Sequence, residues 1–190
     1  APYPNNTNIP IQSKSGDISD IDVSKNLILS KPDIIFHLAA IVSGQAEQEF
    51  DLGWDINAKG SWGLFEAIRH QGENYCPRLV FTSSIAVFGA PFPDKIPDDF
   101  FTTPLTSYGA QKAISELLLA DYSRKKMIDG VSIRLPTICV RPGKPNLAAS
   151  GFFSGIIREP LNGQEAILPV NPDVRHWHAT PRAAAGFLVH

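Results

Sequence analysis

Cysteine is scarce: the chain has two, Cys76 and Cys139, among 190 residues. A single pair cannot make the framework of a disulfide-stapled fold, and such usage suits a reducing compartment. Long apolar runs are missing too. The longest, Ile34 to Val42, is interrupted by His37 and falls well short of the ~20 residues that a membrane-spanning helix needs. The opening residues, APYPNN, have no basic segment leading into an apolar one, so no signal peptide is visible. Neither sign of charge prevails. The formal net charge is −2 at pH 7, which gives no electrostatic basis for binding nucleic acid or an anionic membrane surface. Internal repeats, heptads and low-complexity tracts are absent. His176 and His178 have no third ligand nearby in sequence, so no metal site is expected. What remains is a soluble globular protein, with a cytoplasmic location as the default expectation.

What the chain does have is alternation. DIIFHLAA (Asp33 to Ala40), RLVFTSS (Arg78 to Ser84) and GVSIRLPT (from Gly130) are short runs rich in β-branched and aromatic residues, each set off by proline or a turn signal, and they read as buried strands. Between the first two lies a helical pattern, roughly Glu47 to His70, with Leu64, Phe65 and Ile68 as its apolar stripe. Between the second and third lies SYGAQKAISELLLADYSRK, whose expected apolar face is Ala110, Ala113, Ile114, Leu117 and Leu118. A weaker helix, Ile21 to Leu29, precedes the first strand. Strands alternating with helices predict an α/β fold: βαβ crossovers and a Rossmann-like, doubly wound parallel sheet covered on both faces. Ligands of such sheets sit beyond the carboxyl ends of the strands. That rule marks HLAAIVSG, TSSIAVFG and LPTICVRPG as site loops. The proline-rich connections Gly89 to Thr106 and Pro136 to Ala149 are long enough to expect function.

Tyr108 and Lys112 stand four apart, on one face of the predicted helix. A phenol must drop by about 3 pKa units, roughly 4 kcal/mol, to act as a base near neutrality. An ammonium about 4 Å away supplies on the order of 4 kcal/mol at an effective dielectric near 20. Lys112 is therefore expected to lower the Tyr108 pKa. Ser84 ends the preceding strand on the same sheet edge. A hydroxyl, a phenol and an ammonium converging there can orient an alcohol, take its proton and support hydride loss.

SGDISD, FHLAA, DINAKGS, VFTSSIAVFG, SYGAQK and RLPTICVRPG occur in this order. As an ordered set they resemble the extended short-chain dehydrogenase/reductase family, which includes nucleotide-sugar epimerases and dehydratases. The resemblance covers nearly the whole chain from Gly16. It implies NAD as cofactor, Tyr108 as acid/base, Lys112 as its partner and ribose ligand, and Ser84 as the orienting hydroxyl. It places Asp17 and Ile18 at the adenine, Ala39 and Ala40 in the dinucleotide-lining turn, Asn57 at a position tied to cofactor and active-site order, Ser83 beside the cofactor, and Pro136 and Thr137 against the nicotinamide. The longer stretches around Ser84, Tyr108 and Pro136 are similar to members that oxidise a four-carbon sugar acid at C2. For such a substrate Arg175, with Arg141 as second choice, is the expected carboxylate clamp.

One feature of that family is not found. Its G-x-x-G-x-x-G turn, which seats the pyrophosphate on a helix N-terminus, has no counterpart. GSWG from Gly60 follows no strand, and its glycines are expected to permit close helix packing instead. Choosing NAD over NADP therefore rests on resemblance. The chain lacks an initiator Met and stops at AAAGFLVH within a helical pattern, so a fragment is expected, without the first βαβ unit and the C-terminal part. Residues 1–190 are then one dinucleotide-binding domain, with 136–180 contributing to substrate binding and a homodimer a permitted assembly. A nucleotide-sugar epimerase using the same trio is the first alternative; a non-catalytic dinucleotide-binding regulator is the second. A dehydratase fits less well, because Ile85 and Ala86 stand where that chemistry uses carboxylates. The acidic PDKIPDDF loop is expected to be solvated surface, and Cys139 a small buried residue.

Overall fold

Parallel pairing joins β1 (Ile34–His37), β2 (Arg78–Ser84) and β3 (Asp129–Leu135) in that order, in the computed structural model, which describes residues 10–141 and 147–190. The register runs from Ile34 opposite Arg78 to Ser84 opposite Leu135, so all three strands deliver their carboxyl ends to one edge. A second, two-stranded parallel ladder pairs β4 (Thr137–Ile138) with β5 (His178–Ala179). It brings the segment after Arg175 beside the loop that follows β3.

Helix α1 (Ile21–Ile28) starts where the Asp20 carboxylate accepts the Asp22 amide. The long helical pattern after β1 is not one helix. It divides into α2 (Ser43–Gln48), α3 (Phe50–Gly53), a π turn (Trp54–Lys59) and α4 (Gly60–Arg69). Leu64, Phe65 and Ile68 of α4 are buried against Leu79 and Phe81 of β2, as the apolar stripe requires. The GSWG glycines do serve packing. A Cβ on Gly60 would lie 3.1 Å from the carbonyl oxygen of Ile18, and one on Gly63 would lie 3.0 Å from Ile21 Cδ1, so the lack of side chains at these glycines lets α1 and its lead-in close on α4. Among the described residues no helix is long and apolar enough to cross a membrane.

Helix α5 (Ser107–Arg124) differs most from expectation. Its buried residues are Gly109, Gln111, Lys112, Ala113, Ser115 and Leu119, whereas Ile114 and Leu117, taken as part of its apolar face, are 36% and 69% exposed. The helix turns a largely polar side inward because those polar groups find partners there. Coverage of the sheet is uneven within the described residues. The face bearing Ile35, Leu79 and Phe81 is packed by α4 and α5, but on the opposite face Ile34, Phe36 and Val131 remain 56%, 45% and 39% exposed. Val80, in register with Phe36 and Val131, is nevertheless buried, so the described residues cover the second face in part.

His37, the last residue of β1, is buried, and its Nε2 lies 2.9 Å from Ser61 Oγ. Ser61 spends its proton on the Asn57 carbonyl at 2.6 Å, so Nε2–H must donate. Burial, assisted by the Lys112 ammonium, pushes the imidazole down to about 4. The unfolded chain therefore binds more protons between about 4 and 6.5, and stability falls as the pH falls through that window. We expect denaturant titrations of the full-length protein to lose about 2 kcal/mol more between pH 6.5 and 4.5 in wild type than in His37→Asn. Equal slopes for both would mean that His37 is not the group responsible.

Candidate functional site

The start of α5 is fixed at three points. The Thr106 hydroxyl accepts the Gly109 amide at 3.1 Å, and the Glu47 carboxylate accepts the Ser107 amide at 2.9 Å. A Cβ at residue 109 would stand 2.2 Å from the carbonyl oxygen of Ala86. Only glycine lets the first turn of the helix dock on the loop after β2, and this contact delivers Tyr108 to Ser84. Ser84 Oγ accepts the Ala86 amide at 3.1 Å, and its hydroxyl is near enough to the Tyr108 phenol to influence its acidity.

Lys112 lies one turn further along and is 1% exposed. Its ammonium donates to the Thr82 carbonyl at 2.7 Å and stands 4.7 Å from the Phe81 ring centroid and 5.7 Å from that of Tyr108. Burial pulls its pKa down to about 8, opposed by the Glu116 carboxylate. The Tyr108 phenol is pushed up by burial, opposed by the bond from Ser84. This corrects the expectation that Lys112 would lower it. The ammonium is directed at Thr82 and the Phe81 face rather than at the phenol oxygen, so desolvation dominates.

Asn57 sits in the π turn, 1% exposed. Such a turn displaces the backbone from its regular ladder and often marks functional positions. Here the Asn57 carbonyl accepts from Ser61 at 2.6 Å and Ser115 at 3.4 Å. Its side chain holds both the amide and the carbonyl of Ile41, at 2.9 and 3.4 Å. Ala39 and Ala40 are exposed in the same post-β1 loop. Asp17 is exposed, its carboxyl held low by bonds from the Ser19 amide and hydroxyl, and Ile18 backs onto Gly60.

Pro136 and Ile85 border a cavity of about 570 Å³ that is walled by Phe88 and Trp177 and floored by Glu116 and Arg134. Arg134 and Glu116 pair through several contacts, the shortest 2.8 Å, and the guanidinium lies 4.9 Å from the Phe88 centroid. Thr137 Oγ1 is 2.7 Å from His176 Nε2, and the Thr137 amide donates to the Trp177 carbonyl at 3.1 Å. Arg175 is exposed, two residues before the cavity-lining Trp177. Arg141 is partly buried, its amide donating to Ser154 and its carbonyl accepting from Arg158. Cys139 is half-buried, its sulfur 3.6 Å from His178 Nδ1, rather than enclosed in a core. The Pro136–Ala149 connection lies partly outside the described residues, while the PDKIPDDF loop is largely exposed, as expected. Ser83 is 3% exposed, and its hydroxyl has no partner among the described residues.

The structure thus unites Ser84, Tyr108 and Lys112, and adjoins Pro136 to this edge. Sequence reasoning missed Gln111, Ser115 and the Glu116–Arg134 pair. A signal was available for the first two: polar residues at i and i+4 inside a helix predicted to be buried.

The family model described as the NAD dependent epimerase/dehydratase family matches residues 2–178. A protein of Cupriavidus necator named D-erythronate dehydrogenase is 53% identical over 176 residues, 93% of this chain and 54% of that protein. A Haemophilus influenzae protein of the same name is 48% identical over 164 residues, 86% of this chain and 51% of that protein. The solved structure of a nucleoside-diphosphate-sugar epimerase from Agrobacterium tumefaciens is 60% identical with a TM-score of 0.92, covering 100% of this chain and 56% of that one. The chain spans about half the length of the relatives it matches. A parallel sheet with its serine, tyrosine and lysine gathered at the carboxyl edge agrees with the sequence match, and the chain belongs to the NAD dependent epimerase/dehydratase family.

Proposed function

We infer that the chain forms part of an NAD-dependent dehydrogenase that oxidises the C2 hydroxyl of a small sugar acid such as D-erythronate. The observation that carries this reading is the gathering of the Ser84 hydroxyl and the buried Lys112 ammonium at the Tyr108 side chain, the ammonium 5.7 Å from its ring centroid. In this reading residues 1–190 supply the dinucleotide-binding domain, and 136–180 contribute to the substrate region.

The residues present fit a nicotinamide cofactor. The Ser83 hydroxyl is buried at the carboxyl end of β2 with no partner among the described residues, and Lys112 offers further N–H donors close to the Tyr108 ring. Asp17 and Ile18 would hold the adenine end. Ala39, Ala40 and Asn57 would line the dinucleotide, Ser83, Tyr108 and Lys112 the ribose and nicotinamide, and Pro136 and Thr137 the far side of the ring. NAD, when bound, supplies the hydride acceptor. The protein's part is to hold the alcohol at Ser84, offset the charge of the Tyr108 phenolate with Lys112 and accept the alcohol proton on that phenolate. A carboxylate in a partly desolvated crevice needs a cation, and Arg175 beside the cavity wall, or Arg141, supplies it.

The second reading, a nucleotide-sugar epimerase with the same trio, is favoured by the likeness to the Agrobacterium tumefaciens nucleoside-diphosphate-sugar epimerase. Assaying the full-length protein with NAD on four-carbon 2-hydroxy acids and on UDP-sugars separates the two. NADH formed from D-erythronate supports the dehydrogenase, whereas UDP-sugar turnover with no NADH from any hydroxy acid overturns it. Under the dehydrogenase reading, Arg175→Met keeps bulk and removes charge. Its KM for the hydroxy acid should rise at least tenfold, about 1.4 kcal/mol, with kcat little changed.

A further inference from the structure

Gln111 precedes Lys112 on α5 and is fully buried. Its Oε1 accepts from Asn57 Nδ2 at 2.8 Å. The orientation of both amides follows from the backbone. The Ile41 amide can only donate, and it does so to Asn57 Oδ1 at 2.9 Å. Asn57 must therefore present Nδ2 to Gln111, and Gln111 must answer with its oxygen. This leaves Gln111 Nε2 buried with no partner among the described residues. The fold also makes room for that amide, since a Cβ on Gly53 would lie 2.7 Å from Nε2.

A side chain that only filled this space would be better apolar, because an unsatisfied buried donor is costly. What glutamine supplies and leucine or methionine cannot is the acceptor for Asn57. Through Asn57 that acceptor fixes the amide and carbonyl of Ile41, in the loop that also carries Ala39 and Ala40. We propose that Gln111 is a positioning residue, a latch that sets the turn after β1 in register with the helix carrying Tyr108 and Lys112. Its consequence for NAD rests on the function proposed above; its effect on the turn does not.

The test uses the full-length protein with Gln111→Met, which keeps volume and removes the acceptor, and Gln111→Glu, which keeps an acceptor oxygen. In the Met variant, hydrogen exchange at the Ile41 amide should accelerate about tenfold or more while the β2 amides keep wild-type protection. Calorimetry should show NAD binding weakened about tenfold, with kcat at saturating NAD within about threefold of wild type. Gln111→Glu should restore both the Ile41 protection and the affinity. If the Glu variant does not fold, Met against wild type decides alone. Ile41 exchange unchanged in the Met variant, or accelerated only in step with β2, overturns the latch. Wild type that binds no NAD overturns the proposed function, and the Ile41 exchange still decides the latch.

Discussion

Replacing Tyr108 with phenylalanine in the full-length protein should lower turnover by about 10³-fold or more while NAD affinity stays within a few-fold. The two effects separate because the residue has two parts. The ring is packed at the start of α5, where Gly109 sits directly on the Ala86 carbonyl, and phenylalanine keeps that packing. The phenol oxygen is the group assigned to take the proton, and its loss removes that acceptor. Ser84 keeps its bond from the Ala86 amide, so the loop after β2 should hold its shape and the melting temperature should move little. The oxidation should also speed up between about pH 6 and 8, since the phenol is raised by burial and its base form grows with pH. Steady-state NADH formation and a calorimetric NAD titration check both halves. Turnover within tenfold of wild type would return Tyr108 to a structural role.

The parts of the fold legible in the sequence were those that local composition decides. Arg78–Ser84 is a β-branched run closed off by Pro77, and it forms β2 with the expected bounds. Leu64, Phe65 and Ile68 recur on one face of α4 and are buried there. Helix α5 shows where that reasoning fails. Apolar periodicity selects Ile114 and Leu117, yet the molecule buries Gln111, Lys112 and Ser115, because each finds a partner that no local window contains. Gln111 meets Asn57 across 54 positions, and Lys112 reaches the Thr82 carbonyl across 30. The same partners account for the π turn: Asn57 must face the Ile41 peptide and α5 together, a tertiary demand that leaves no trace in helix propensity. Ladder β4–β5 has two residues per strand, too few for any alternation to register. Ser84, Tyr108 and Lys112 were recognisable because spacing and strand ends place them. The direction of the Lys112 ammonium was not, since it depends on Thr82 and Phe81.

Lys112→Met should separate activity from stability in opposite directions. An ammonium 1% exposed and drawn down to about 8 by burial is a cost to the folded state. Relative to an unfolded lysine at 10.5, that cost is on the order of 3 kcal/mol at pH 7, before relaxation reduces it. Methionine fills the same channel along Phe81 without the charge. It gives up the bond to the Thr82 carbonyl, worth about 2 kcal/mol because the donor is charged, so the variant should melt at or slightly above the wild-type temperature at pH 7. The sign of the pH dependence follows from the lowered pKa. Between about 8 and 10.5 the unfolded chain holds more protons than the folded one, so wild-type stability rises with pH across that window. The variant lacks this rise, and its advantage should shrink steadily toward pH 10. Activity should move the other way, down about 10²-fold or more, because nothing else in contact with the Tyr108 ring supplies a positive charge among the described residues. Thermal melts at pH 7, 8.5 and 10, set beside turnover at pH 7, test both parts. A variant that loses several degrees at pH 7 would show that the Thr82 bond outweighs the buried charge. One that retains turnover within tenfold would remove Lys112 from the chemistry.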